Sequence, residues 1–480
     1  MVSRLYLQGI IYVKVKIIVL EKGRLKMNKR KELFRMFIAI LPLVLLLFVI
    51  YTYKDTTTVA TEGEAVYEGS IEQAGKLLNS GDEISVKFNV KNITGNKKEG
   101  IEVKLICDGE SKVIGKNPMV IELLQPNEEG KIDWKVECKS GGTKFIAQVK
   151  DKNKGIKNIE LGGITVNDKG WFLGDNHTHT KYSDGSGSVS ENIWAMRSKG
   201  LSYMTLTDHN NSNGYDESKS VKGEGELIIK GNEFSSGSGH AVMMNVKDNK
   251  NYGSLSKDNL IKEVENYNTL IYAAHPCFNA IPWKLEDYKG LNGIEVWNGS
   301  WGPKNKFNKD AFELWDKLNK DGNHLYGVGE SDAHSPNEIG NVYLKTYADK
   351  FDLDSIIEGQ KKGHMYGTNG PSLDIRVNNA MMGDDYKIAS MGEIVKVNLK
   401  GSYYGGISKV RLIRNGEVIS DKEINDVSFN IVERVRVAPG DFVRMEVDGK
   451  EEEGLSLSTE NGYKNTAPFA FSNPIFMVEK

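Results

Sequence analysis

The sequence predicts an α/β protein: a closed or distorted β/α barrel flanked by two all-β, sandwich-like modules and preceded by an N-terminal transmembrane helix. Three observations predict it. All eight histidines (His177, His179, His209, His240, His275, His324, His334 and His364) fall in one segment, and most stand at the ends of apolar runs. Across 170–370 those runs alternate with helical patterns, which implies a parallel sheet with its chemistry at the strand C-termini. On either side, 61–167 and 371–480 alternate apolar and polar residues with the period-two pattern of strands.

In chain order, residues 1–35 are expected to be a short cytoplasmic N-terminus, with Met27 an alternative start. Residues 36–53 are 18 residues without a charge, just long enough to span a bilayer. Lys29, Arg30, Lys31 and Arg35 precede them, so the positive-inside rule puts the globular part outside the cytoplasm on a single-pass anchor. A cleaved signal peptide would give the same location without the anchor. The formal net charge of −2 and a pI near 6.5 give no cationic excess for counterion release, which excludes nucleic acid as an expected partner.

The first β module shows alternation in Ile84 to Val90, Val103 to Cys107 and Ile132 to Cys138. Cys107 and Cys138 share parity with the apolar residues, so both face inward, as a disulfide or as two core thiols. In the central segment a helix starts after Ser188, where Ser188-Val189-Ser190-Glu191 fits a capping box. Helices follow at 256–267, 307–318 and 352–362. After Gly370-Pro371 strands return at 394–399, 410–414 and 442–447, and most of the chain's arginines here solvate a sheet face.

The candidate site starts from Leu173-Gly174-Asp175-Asn176-His177-Thr178-His179, a strand end on which residues two apart share a face. Two imidazoles there can reach one ion, and Asp184 adds a hard oxygen on the following loop. Thr207-Asp208-His209, Gly231-Asn232-Glu233, Gly239-His240, Ala274-His275-Pro276 and Ser331-Asp332-Ala333-His334 come after it. In this order the six motifs resemble the PHP family, named for polymerase and histidinol phosphatase domains. The resemblance covers the central segment alone. It implies a distorted (β/α)7 barrel holding two or three divalent metals (Zn, Mn or Fe), with His177, His179, Asp184, His209, Glu233, His240, His275, Asp332 and His334 as ligands. Glu233 would bridge two ions, and Asp184, His209, Glu233 and His275 would serve the reacting centre. The chain looks most similar to the branch related to carbaryl hydrolase, which its ending Ala467 to Ile475 also resembles.

The residues themselves point to the same chemistry. A mixed N/O donor set suits Zn, Mn or Fe, and paired metals activate water for hydrolysis. Asp208 is expected to orient His209, Cys277 to be a small buried hydrophobe, His324 to be structural and His364 to be a cation at a helix end. The single arginine of the segment, Arg197, lies on a helix rather than at the rim. Lys181 lies beside the first motif, while Trp297, Asn298 and Trp301 are expected to form an apolar wall with one polar handle. A small-molecule phosphoester, carboxylester or carbamate carrying an organic group is therefore the expected substrate. The competing reading is an inactive barrel serving as a binding or scaffold protein, and the more distant one is an amidohydrolase barrel, which also begins with His-x-His.

Overall fold

The computed structural model describes residues 55–62, 65–151, 155–285, 287–450 and 467–480. The expected cytoplasmic 1–35 and span 36–53 lie outside the described residues. Among the described ones no helix is long and apolar enough to cross a membrane. Residues Asp55–Lys480 form one compact unit.

The central sheet contains β1 (Gly170–Asp175), β2 (Tyr203–Leu206), β3 (Leu227–Ser236), β4 (Gly239–Met244), β5 (Leu270–Ala274), β6 (Gly293–Asn298) and β7 (Tyr326–Glu330), side by side in chain order. Strands β2, β4, β5 and β6 are buried along their whole length, as strands covered on both faces must be. Helices α1 (Val189–Ser198), α2 (Gly214–Ser218), α3 (Lys257–Val264) and α4 (Lys306–Lys320) are interspersed, and α5 (Leu353–Lys361) follows β8 (Tyr343–Ala348). The Ser188/Glu191 capping box is fully formed at α1, and Ser256 and Asp352 cap α3 and α5.

The sheet departs from simple alternation in two places. Strand β4 runs antiparallel to both β3 and β5. Gly237 and Ser238 alone connect β3 to β4, and two residues make a hairpin but cannot make the crossover that parallel strands require. Strand β8 then pairs antiparallel with the outer edge of β1, and β9 (Met365–Thr368) pairs antiparallel with β8. The strand ladder is therefore a half-barrel, not a continuous closed ring. Its ends meet at the C-terminal rim, where His179 N–H donates to Ala333 O (2.8 Å) and Ala333 N–H donates to His177 O (3.3 Å).

The β-rich regions flank this sheet. From Asp55 to Val166 two five-stranded sheets pack face to face, burying Val86, Phe88, Trp134 and Val136 of one against Val103, Leu105, Phe145 and Ala147 of the other. All three cysteines are free thiols, and burial pushes Cys107 and Cys138 up to about 12. The C-terminal region is not a detached sandwich. Its strand Phe469–Ser472 pairs with β9, so one of its layers continues the barrel sheet. The other layer is a separate four-stranded sheet. Three regions are stitched at buried Lys345 of β8, whose Nζ donates to Asp108 Oδ1 (2.8 Å) of the first module and to Ser372 Oγ (2.8 Å) of the last.

Candidate metal centre

Strand ends set the geometry. The peptides of His177 and His179 are held by the rim bridge, so both imidazoles of the first motif point into the half-barrel, fully buried. The loop beyond them turns at Gly185, where a Cβ would lie 2.5 Å from the His179 carbonyl, so a side chain there would displace Asp184. Glu233, also fully buried, sits near the middle of β3. Its carboxylate lies 2.7 Å from His209 Nδ1, 2.9 Å from His240 Nδ1, 3.4 Å from His275 Nε2 and 3.5 Å from the Nε2 atoms of both His177 and His179. Asp332 Oδ1 completes the inner group, 3.2 Å from His177 Nε2 and 3.1 Å from His179 Nε2.

An outer group faces solvent. Asp184, half-exposed, places Oδ2 3.3 Å from both His209 Nε2 and His334 Nε2 and Oδ1 3.7 Å from His179 Nδ1. His334 Nδ1 donates to the Asp332 carbonyl (2.9 Å), which fixes its tautomer and leaves Nε2 free to ligate. All nine residues named from the sequence thus converge at one rim. Three overlapping sets, His179/Asp184/His209/His334, His177/His179/Glu233 and His209/Glu233/His240, each offer donor atoms within 4.8 Å of one another.

The donor set fits divalent cations. His177 Nε2 and Glu233 Oε2 are buried without an aligned hydrogen bond despite their charged neighbours, the arrangement of lone pairs that converge on an ion. Imidazole rings also crowd one another, with His179 4.4 Å from His334 and 4.7 Å from His209 between centroids. Burial disfavours a charged His177, yet Asp332, Glu233 and Glu295 push its pKa well above the ordinary histidine value. Burial likewise opposes ionisation of Glu233, and the His177 charge holds it well below the usual carboxylate range. Protons and metal ions therefore compete to neutralise the same carboxylates.

Two carboxylates here escaped the sequence reading. Glu295, at the centre of β6, accepts the His275 backbone N–H at Oε2 (2.6 Å) and sits 3.2 Å from His177 Nδ1 through Oε1. Glu330, at the end of β7, is fully buried, and burial followed by the Glu295 charge pushes its carboxyl well above the usual range. A carboxylate inside an otherwise apolar strand was the available signal.

Several neighbours differ from expectation. Asp208 does not orient His209. It accepts from Thr180 N–H (2.8 Å), Thr180 Oγ1 (2.8 Å) and Ser183 Oγ (2.8 Å), bracing the loop that carries Asp184, while His209 Nδ1 meets Ser235 Oγ (2.5 Å). Asn298 is buried and donates to Glu295 and to Asp332 Oδ2 (2.9 Å), so it positions ligands rather than facing substrate. Trp297 is wholly buried in the core. The apolar wall is instead Trp301 with Phe278 (4.8 Å) and Phe307 (4.9 Å), and Phe278 lies 6.1 Å from the His275 ring. Arg197 is buried in a bidentate pair with Glu226, away from the rim. His364 reaches Asp384 of the C-terminal region (2.8 Å), and the His324 ring packs tilted against Phe476. Cys277 is a half-buried free thiol outside every metal-competent set.

Residues 175–293 match the family model of the PHP domain, and residues 307–365 match that of the PHP-associated domain. No curated protein matches the chain. Among solved structures, a two-domain protein containing a predicted PHP-like metal-dependent phosphoesterase from Bacteroides vulgatus is 15% identical, with 64% of this chain and 98% of that chain covered and a TM-score of 0.39. PsfC from Pseudomonas syringae is 14% identical over 39% of this chain and 87% of its own, with a TM-score of 0.32. An amidohydrolase from Chromobacterium violaceum, solved with sulfate and no metal, is 18% identical over 40% of this chain and 96% of its own, with a TM-score of 0.29.

Proposed function

We propose that the protein is a metal-dependent hydrolase that cleaves a phosphoester, carboxylester or carbamate bearing an organic group. The observation that carries this reading is the Glu233 carboxylate with five imidazoles within 3.5 Å at the rim of a PHP domain. His177, His179, Glu233 and Asp332 would hold an inner ion, Glu233, His240 and His275 a second, and Asp184, His209 and His334 an outer one. Bound there, divalent ions supply Lewis acidity toward an ester oxygen and toward water.

The chain's own residues do the rest. Asp184, with half of its side chain exposed, and His334, 42% exposed, are the members a substrate meets first, with the less exposed His209 beside them. Fixed tautomers at His334 and fixed ring orientation at His177 keep ligating nitrogens aimed inward. Trp301, Phe278 and Phe307 shield the His275 side from water and offer a planar apolar group a surface to pack on. With Arg197 committed to Glu226, no guanidinium of the 170–370 segment is available to grip a phosphomonoester. The carbamate and carboxylester part of the range follows the sequence resemblance to the carbaryl-hydrolase branch. The uncharged 36–53 run supports an extracytoplasmic, membrane-anchored location.

Elemental analysis of residues 55–480 beside His177→Ala and Asp332→Ala tests the proposal, together with turnover of aryl phosphodiesters, carboxylesters and carbamates. Two or three equivalents of Zn, Mn or Fe, reduced in both variants, are expected, and Trp301→Ala should raise KM for aryl esters more than it lowers kcat. A chain that binds no metal, even on reconstitution, would leave the scaffold reading in its place.

A further inference from the structure

The four-stranded sheet of the C-terminal region has one face committed to the core. Val395, Val397 and Leu399 of strand Glu393–Ser402, with Val435 and Val437 of strand Ser428–Val437, are buried in it. Because side chains alternate, the residues between them must point outward. Those residues are Ile394, Lys396 and Lys400 on the first strand and Val432, Arg434 and Arg436 on the second, all exposed.

The register makes this face costly. Lys396 stands directly opposite Arg434, and Arg436 is two residues further along the same strand. Like charges directly opposite across an antiparallel pair destabilise a sheet. Among the described residues no carboxylate relieves them: Asp374, the acidic residue across from Lys400, is taken by Arg376 (3.0 Å), and the nearby Glu433 is taken by Lys422 (2.9 Å). Among the described residues none of Lys396, Lys400, Arg434 or Arg436 has an ion-pair partner; Arg436 donates only to the Gly392 carbonyl (3.2 Å). The chain as a whole is slightly acidic, so the concentration of cations is local.

Apolar side chains are interleaved with these cations. Ile394 is 58% exposed and stands opposite Arg436, Val432 is 56% exposed and stands opposite Asn398, and Met391, in the turn before the first strand, is 83% exposed. A soluble polyanion would be held by the cations alone and gain nothing from the apolar tips. A lipid interface takes both, with basic groups at the phosphate level and apolar tips in the headgroup boundary.

We propose that this sheet face docks on an anionic phospholipid surface. The proposal concerns a face remote in function from the metal centre and is independent of the hydrolase reading.

Residues 55–480, a compact unit without the 36–53 run, are sedimented with vesicles of phosphatidylglycerol and phosphatidylcholine and with vesicles of phosphatidylcholine alone. Binding to the anionic vesicles only is expected, weakening as salt rises because the Debye length falls from about 10 Å at 0.1 M to about 3 Å at 1 M. Each basic group near such a surface strengthens binding about fivefold, so Lys396→Gln with Arg434→Gln should weaken it roughly 30-fold. Ile394→Ser with Val432→Ser should weaken it without altering the salt dependence. Melting temperatures no lower than the parent's, with unchanged metal content, would show that both variants are folded. Absence of binding to anionic vesicles overturns the proposal. So does equal affinity for soluble polyphosphate with no effect of the Ile394 and Val432 changes, which would make the face a polyanion site instead.

Discussion

Replacing Glu295 by glutamine tests whether the carboxylate behind the metal centre sets ligand geometry. Three contacts meet on it: His177 Nδ1 at 3.2 Å, the His275 backbone N–H at 2.6 Å and Asn298 Nδ2 at 3.2 Å. The His275 backbone has φ of +30°, a conformation that a non-glycine residue keeps only when its surroundings hold it there. Glutamine has the same shape but one oxygen fewer. If its NH2 faces His275, two donors collide and the strained peptide loses its anchor. If its NH2 faces His177, it must donate to Nδ1, which moves the ring proton to Nε2, the atom that looks toward Asp332 and Glu233. Either arrangement damages a ligand without removing one. Losing such a supporting contact weakens metal affinity by about 10–100-fold, or about 1.4–2.7 kcal/mol. The metal-free protein loses only the contacts of the carboxylate, whereas the loaded form also loses the part of its stability that bound metal supplies. Chelator competition read by elemental analysis, with thermal melting of metal-free and metal-loaded protein, separates the two effects. Affinity within about twofold of the parent, or equal destabilisation of both forms, would refute the positioning role.

Arg444 is buried with its guanidinium bidentate on Asp316 of α4 (2.7 and 2.6 Å), a further bond to Glu446 (2.7 Å) and Trp315 beneath it. Arg444→Met should cost about 3–5 kcal/mol in urea unfolding, because the Asp316 carboxylate remains without its cation while Glu446 keeps only Arg411 (3.1 Å), and a loss below about 1 kcal/mol would show that the bond does not fasten the C-terminal region to the barrel. Burial alone would raise the Glu160 pKa, but Lys144 and Lys199 hold it down at about 2. Its stabilising contribution is complete above the unfolded value near 4.5 and is lost as pH falls toward 2, so the stability gap between parent and Glu160→Gln should close over that window; a gap constant with pH would contradict the assignment.

What the sequence showed and what it hid follow a physical division. His177 and His179 were legible because strand alternation is local, and a two-residue spacing at a strand end fixes a common face whatever the rest of the chain does. The helix starts at Ser188, Ser256 and Asp352 were legible for the same reason, since a cap is decided within four residues. The reversal of β4 was written in the two residues Gly237 and Ser238, but the expectation of uniform βα units overrode it. Glu295 sits between Ile294 and Val296 in a run whose apolar character dominated the reading, although a lone carboxylate there demands a partner. Asp208 was misassigned because adjacency to His209 suggested contact, whereas consecutive residues on extended chain point to opposite sides.

Pairing between distant strands was beyond any local pattern, and it bears directly on the centre. Strand β7 leads to Glu330, Asp332 and His334, and on one side it is held by its ladder with β6. On the other side, among the described residues, no strand completes the ring. Asn473, from the last residues of the chain, supplies the missing bonds: Gly327 N–H donates to its Oδ1 (2.7 Å), and its Nδ2 donates to Gly327 O (3.1 Å) and to Met365 O of β9 (3.0 Å). Phe471 fills the same seam, packing on Phe312 and Trp315 of α4 and leaving no room for a side chain at Gly367. An open sheet edge would leave β7 free to shift, and a shift there moves Asp332 away from His177 and His179. The C-terminal region therefore acts on the candidate ligands Asp332, His177 and His179 through the barrel seam, and the ending Ala467 to Ile475 is a structural part of the half-barrel that holds the candidate site.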